Sequence, residues 1–163
     1  MFSIRKAGPE DAVLLHQLGV RVYHSTYSDI LSAGQIAFML DKNYSPAAIR
    51  QTMDAGQDFY LLLDEVGQAA GFMALQQKDA ETLRIEKLYL LSDYQGLGLG
   101  ARFITFAADQ AKALATRQLE LNVNRGNKAY HFYLKQGFVL TEEVDIPYYS
   151  YVLDDYIMQK LIL

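Results

Sequence analysis

Cysteine is absent from this chain of 163 residues. That absence excludes disulfides, thiolate metal sites and a covalent acyl-cysteine intermediate, and it suits a reducing, cytoplasmic setting. Tryptophan is absent as well, and proline occurs only three times. No Pro/Gly/Ser-rich stretch, low-complexity tract or fixed-period repeat divides the chain, so residues 1–163 read as one domain. No apolar run approaches the length of a membrane span. Met1-Phe2-Ser3-Ile4-Arg5 reads as a strand running into Pro9, not as the apolar core of a signal peptide. There is also no basic stripe. Fifteen Lys and Arg stand against nineteen Asp and Glu, a net charge of −4. Neutralising phosphates needs clustered cations, so nucleic acid is not the expected partner, and an acidic chain suits a cationic substrate. His16, His24 and His131 stand apart, with no second ligand at metal spacing, and neither His-Glu-x-x-His nor Gly-x-Ser-x-Gly occurs. A metal site and a serine hydrolase are therefore not expected.

What is present supports a substantial core: 51% of residues are hydrophobic and 21% charged. Phe2–Lys6 reads as a strand. Gly8-Pro9-Glu10-Asp11 then starts a helix, with Pro in the first turn, acids at its positive end and a stripe of Val13, Leu14, Leu18 and Val22. That pattern breaks around Tyr23–Ser28. Helices follow over Ser32–Leu40 and Pro46–Met53. From Asp58 the character changes to strands at Phe59–Asp64, Ala69–Gln76 and Thr82–Leu91. The remainder alternates: helix Leu97–Thr116, strand Gln118–Asn124, helix Asn127–Gln136, strands Phe138–Asp145 and Ser150–Leu161. This order predicts an α/β (α+β) fold, a mixed central sheet of about seven strands with helices on both faces.

The strongest local signal is Gln95-Gly96-Leu97-Gly98-Leu99-Gly100, between a strand and an amphipathic helix. Glycines let the backbone turn tightly and approach a ligand, and the helix start offers free N–H groups to a pyrophosphate. The plainer reading is a connecting turn. A P-loop is excluded because no Lys follows the glycines. A dinucleotide fold wants Gly-x-Gly-x-x-Gly after a continuously apolar strand, whereas Leu83–Leu90 alternates. Glu120 sits where a ribose-binding acid would fall, yet too few βα units follow. An NAD(P)-dependent oxidoreductase is thus disfavoured and stays open.

A second pattern lies downstream: Leu121-Asn122-Val123, then Asn127, Ala129, Phe132-Tyr133 and Gly137-Phe138. Gln95-x-x-Gly98-x-Gly100 resembles the pyrophosphate-binding signature of GNAT acetyltransferases, and the downstream pattern resembles the helix that follows it in that superfamily. The resemblance runs from about Phe59 to the C-terminus. Val152–Met158 is also similar to a bacterial branch that includes polyamine acetyltransferases. The resemblance implies acetyl-CoA as cosubstrate and an amine as acceptor, either a small amine, a polyamine or a peptide amine. It implies a splayed parallel pair, Thr82–Leu91 and Gln118–Asn124, with a bulge in the first strand. Pantetheine would lie in the opening and bond the backbone of Leu88, Tyr89 and Leu90. Gln95, Gly96, Leu97, Gly98, Leu99, Gly100 and Ala101 would hold the pyrophosphate. Asn127 would contact pantetheine or amine, its other reading being a helix cap. Tyr133 would protonate the leaving thiolate, its other reading being a core tyrosine.

The general base is less defined. Glu86 is the candidate, read as sharing a face with Leu88 and Leu90, against a surface ion pair with Arg84 or a water chain doing the same work. Arg102, Lys135 and Arg125 are candidates for CoA phosphates, or simply solvated charges. Pro147–Tyr151 is expected in the last interstrand loop, walling the acceptor pocket. An exposed final strand is compatible with a homodimer. A non-catalytic acetyl-CoA sensor is the reading from another class.

Overall fold

The computed structural model describes residues 1–162. β1 (Ser3–Lys6) leads through a short 3-10 turn at Pro9–Asp11 into α1 (Ala12–Tyr27), α2 (Ala33–Tyr44) and α3 (Pro46–Asp54). Then come β2 (Asp58–Leu63), β3 (Ala69–Gln77), β4 (Thr82–Leu90), α4 (Leu99–Ala113), β5 (Gln118–Asn124), α5 (Ala129–Lys135), β6 (Val139–Tyr148) and β7 (Tyr151–Leu161). The strands form one seven-stranded sheet in the order β1-β2-β3-β4-β5-β7-β6. Its one parallel pair is β4–β5; every other neighbour is antiparallel.

Both faces are covered. Leu15 of α1 and Ile49 of α3 cluster with Phe59, Leu61 and Phe72 of the sheet on one face, while Phe103 and Ile104 of α4 cluster with Leu62, Met73, Leu119 and Leu121 on the other. This explains Asp58–Leu63, where consecutive residues are apolar: alternate side chains enter different cores. Local chemistry sets the helix starts. The Ser32 hydroxyl accepts from the Gln35 N–H (3.1 Å), and the Ser45 hydroxyl accepts from the Ala48 N–H (3.2 Å) with Pro46 opening α3.

Several expected boundaries move. α1 runs through Tyr27 without a break, because Tyr23 and Tyr27, one turn apart, pack ring on ring (4.6 Å) and against Tyr89. Val13 is 50% exposed, and Leu15 takes its place in the stripe. α4 begins at Leu99, since Gly98 adopts a left-handed φ of 77° that no helix continues. Pro147, Tyr148 and Tyr151 belong to strands. The final loop is a tight turn at Tyr149-Ser150; Tyr149 and the flanking Tyr148 and Tyr151 pack against Phe38 of α2. The final strand β7 lies between β5 and β6, so the free edges are β1 and β6. The exposed final strand invoked for a homodimer is therefore an interior one.

Candidate active site

β4 and β5 pair through Thr82–Ile85 and Gln118–Leu121 and then part. The cause is visible one strand over. Against β3, Leu75 faces Ile85 and Ala74 faces Lys87, which leaves Glu86 as the extra residue of a β-bulge. A bulge bends its strand and increases the local twist, and here it turns β4 away from β5. Beyond the bulge, β4 remains bonded to β3 up to Leu90, so its groups on the β5 side have no strand partner.

The resulting fork opens a cleft of about 1040 Å³. Glu86, Leu88, Tyr89 and Leu90 line it from β4; Gln95, Gly96, Gly98, Leu99, Gly100 and Ala101 line it from the glycine loop and the start of α4; Asn127 and Tyr133 line it from the far side. Of the residues expected to hold pantetheine, pyrophosphate or the reacting groups, Leu97 lies outside, 60% exposed on the outer side of the loop, and the Pro147–Tyr151 segment expected to wall the acceptor pocket does not line the cleft. Gly96 (φ 80°) and Gly98 (φ 77°) need left-handed backbone, and a Cβ on either would meet nothing within 4 Å. Their backbone is thus bare toward open space. Gly100 differs: a Cβ there would come within 2.9 Å of the Phe132 ring, so its smallness serves the contact between α4 and α5. The Gln95 side-chain amide donates to the Leu90 carbonyl (3.3 Å), tying the loop to the end of β4.

Glu86 does not share a face with Leu88 and Leu90. The bulge shifts the alternation by one, so Leu88 and Leu90 pack with Leu83 and Ile85 toward α4, whereas Glu86 accepts from Arg84 Nε (3.0 Å) on the other face. Arg84 also donates to Glu120 and, through Nη2, to Asn122 Oδ1 (2.7 Å). Glu120, the would-be ribose ligand, is 3% exposed and further bonded by Gln159 and Lys78. Desolvation pushes its carboxyl up, but the bonds from Gln159, Arg84 and Lys78 outweigh this and hold it below the usual carboxylate range.

Tyr133 is buried, and desolvation first, then the nearby Tyr27, raises its phenol well above 10. It stays protonated at neutral pH and can only give a proton. Across the cleft the Tyr27 and Tyr89 hydroxyls bond each other (2.9 Å), and Asn127 Nδ2 donates to Tyr27 (3.5 Å). Asn127 Oδ1 meanwhile accepts from the Ala129 N–H (2.9 Å); Asn127 stands one residue before the cap position, Lys128, and its side chain ties the start of α5 to Tyr27. Lys87, beside the bulge, lines the cleft and reaches into the α1–α3 layer. There it donates a hydrogen bond to Gln57 Oε1 (2.7 Å), and the Tyr44 and Phe59 rings face its ammonium at 5.6 and 5.3 Å. His24, Arg102 and Lys135 are exposed and do not line the cleft, and Arg125 is engaged by Asp145 and the Val144 carbonyl. The Arg84–Glu86 ion pair was the other sequence reading of Glu86 and is present; missed were Asn122, the Tyr89 hydroxyl and the further bonds of Arg84 to Glu120 and Asn122. Charged or polar residues at i, i+2 on both strands of one parallel pair were the available signal.

A forked sheet edge without a strand partner, leading to bare glycine backbone at a helix start, offers N–H and C=O groups to an extended chain and N–H groups to an anion. A family model described as acetyltransferase (GNAT) domain matches residues 28–146. The chain belongs to this family; it is an acyltransferase with acetyl-CoA as its cosubstrate. It is 26% identical over 151 residues to an uncharacterized N-acetyltransferase of Mycobacterium bovis, covering 92% of this chain and 97% of that one. Its fold is similar to the PaiA N-acetyltransferase of Thermoplasma acidophilum in complex with coenzyme A: TM-score 0.84, 23% identity, 99% of each chain. It is also similar to a spermidine N-acetyltransferase of Vibrio cholerae in complex with CoA and spermine: TM-score 0.69, 19% identity, 99% of this chain and 95% of that one. Among the described residues no helix is long and apolar enough to cross a membrane, and no group of three potential ligands could hold a metal ion.

Proposed function

We propose that residues 1–163 act as one domain that transfers acetyl from acetyl-CoA to a primary amine, by direct attack in a ternary complex. The observation that carries this is the continuity of the cleft: the glycine loop, the free edge of β4, Glu86 and Tyr133 line one opening. Backbone groups of Leu88, Tyr89 and Leu90 bond the pantetheine amides as an added strand would, and one N–H holds the carbonyl oxygen as charge develops on it. The N–H groups of the loop and of the first turn of α4 take the pyrophosphate. Glu86 removes a proton from the incoming ammonium, directly or through water, so that nitrogen can attack the carbonyl carbon. As the C–S bond breaks, Tyr133 gives its phenolic proton to the departing sulfur.

Acceptors worth testing first are polyamines. The acidic balance of the chain and the Vibrio cholerae neighbour's ligand support that order. Thermal unfolding with saturating acetyl-CoA, and with NAD(H) as control, tests the cofactor. A ligand at a hundred times its Kd adds about 2.7 kcal/mol, a rise of roughly 5–11 °C for a domain of this size. A rise with NAD(H) alone would favour an oxidoreductase. CoA release with spermidine, a simple monoamine or a peptide amine then tests turnover. Tyr133→Phe should keep the thermal shift and lower kcat by about a hundredfold. If none of these amines releases CoA from protein that binds acetyl-CoA, the proposed amine acceptor is overturned.

A further inference from the structure

Arg84 and Glu120 are cross-strand partners in the penultimate pair of β4 and β5 before the strands part. Each donor edge of the Arg84 guanidinium reaches a different group. Nε goes to Glu86 at the bulge (3.0 Å), Nη1 to Glu120, and Nη2 to Asn122 on β5 (2.7 Å). Asn122 in turn donates to Asp155 on β7 (3.2 Å), and Glu120 is fixed from below by Gln159 (2.8 Å) and Lys78 (3.1 Å). One planar cation therefore joins Glu86 and Asn122, which lie on opposite prongs of the fork and both line the cleft. Only Arg supplies such a fork of donors in fixed geometry; Lys presents a single point charge.

We propose that Arg84 is a positioning residue: clamped by the buried Glu120, it fixes the Glu86 carboxylate at the mouth of the fork. This rests on Glu86 being the base. Glu86 is 29% exposed, so a free side chain would sample several rotamers; the Nε bond selects one. The charges around it are Arg84 and Lys87 on its own strand and Glu120 on β5. Asp29 after α1 and Lys128 before α5 line the same cleft, and Asp155 on β7 is reached through Asn122. Arg84 is the one cation in direct contact with it. A carboxylate that loses such a neighbour holds its proton more tightly.

The test is the pH profile of kcat/KM for CoA release, with the accepting amine saturating and acetyl-CoA varied, for the parent protein, Arg84→Lys, Arg84→Met and Glu86→Gln. Arg84→Met should move the acid limb upward by about one pH unit and lower kcat at neutral pH about tenfold. The thermal shift with acetyl-CoA should remain within twofold of the parent's apparent affinity. Arg84→Lys should restore part of the limb position and little of kcat, since it returns the charge without the fork. Because Arg84→Met leaves Glu120 short of a partner in the interior, Arg84→Met/Glu120→Gln removes both charges and covers the case of poor folding. It should show the same shifted limb. A uniform fall in rate with the limb unmoved, in a folded variant, would reduce Arg84 to a structural ion pair and overturn the proposal. Parental rate and profile in Glu86→Gln would instead remove Glu86 as base, and the proposal with it, while leaving the acetyltransferase reading intact.

Discussion

At the scale of single residues, the three glycines of the loop are not equivalent. Gly98 ends the loop at φ 77° and releases the chain into α4, with open space where a Cβ would stand. Gly98→Ala therefore meets no clash, only the left-handed backbone penalty of about 1–2 kcal/mol. Gly98→Asn should recover part of that, because a short polar side chain tolerates this conformation. Chemical denaturation of the two variants, read as midpoints at a common slope, checks the order. Equal losses from Ala and Asn would mean that the cost lies elsewhere than in φ. Gly100→Ala acts differently, since its Cβ must displace the Phe132 ring next to Tyr133. It should lower kcat more than it lowers the acetyl-CoA thermal shift. These glycines were legible in the sequence as a loop at a helix start. Which of them turns the chain and which admits a neighbouring ring was not, because the latter depends on α5 packing back onto α4.

Among the elements, the bulged strand β4 matters most to the site. Its text, Leu83-Arg84-Ile85-Glu86-Lys87-Leu88-Tyr89-Leu90, was legible as a strand and as one prong of a splayed pair. Counting by twos, however, puts Glu86 with Leu88 and Leu90, and the structure puts it opposite them. A bulge is a register event between two strands, visible only when Ala74 and Leu75 of β3 are laid against it. The same limit applies to α1, which the aromatic ring stack of Tyr23, Tyr27 and Tyr89 carries past its apparent break. The bulge makes a sharp prediction. Deleting Glu86 leaves Ile85, Lys87, Leu88, Tyr89 and Leu90 in strict alternation, each still on its present face. The shortened strand should fold, extend its pairing with β5 and close the fork. Circular dichroism should be near parental, with the stabilisation by acetyl-CoA gone. A deletion variant that still rises by several degrees with acetyl-CoA would show that the bulge does not open the cleft.

For the whole molecule, the consequence of covering both sheet faces is that polar side chains next to the site are trapped in a core. Lys87 is the extreme case. The bulge turns it into the α1–α3 layer, where it finds Gln57 and the faces of Tyr44 and Phe59 but no hydrogen-bonded carboxylate. Burial lowers its ammonium to about 8 from the usual 10.5, with the nearby Glu86 opposing the shift. The sign of the effect on stability follows from proton counting. Between pH 8 and 10.5 the unfolded chain keeps the proton and the folded chain has shed it, so this group's contribution to stability rises with pH through that window. Below pH 8 both states are charged, and the folded state carries the full desolvation penalty of about 3 kcal/mol. Lys87→Met, similar in length and apolar, should therefore be more stable than the parent below pH 8 by up to that amount. The advantage should shrink toward pH 10.5, because the neutral amine no longer resists burial. Urea midpoints of the two proteins at pH 6, 8 and 10 measure the difference directly, and subtraction cancels the tyrosines that titrate in the same range. A constant difference across the series would mean that Lys87 stays charged in place, held by the two rings and Gln57. In that case the cation–π pair would outweigh desolvation at the very strand that opens the active site.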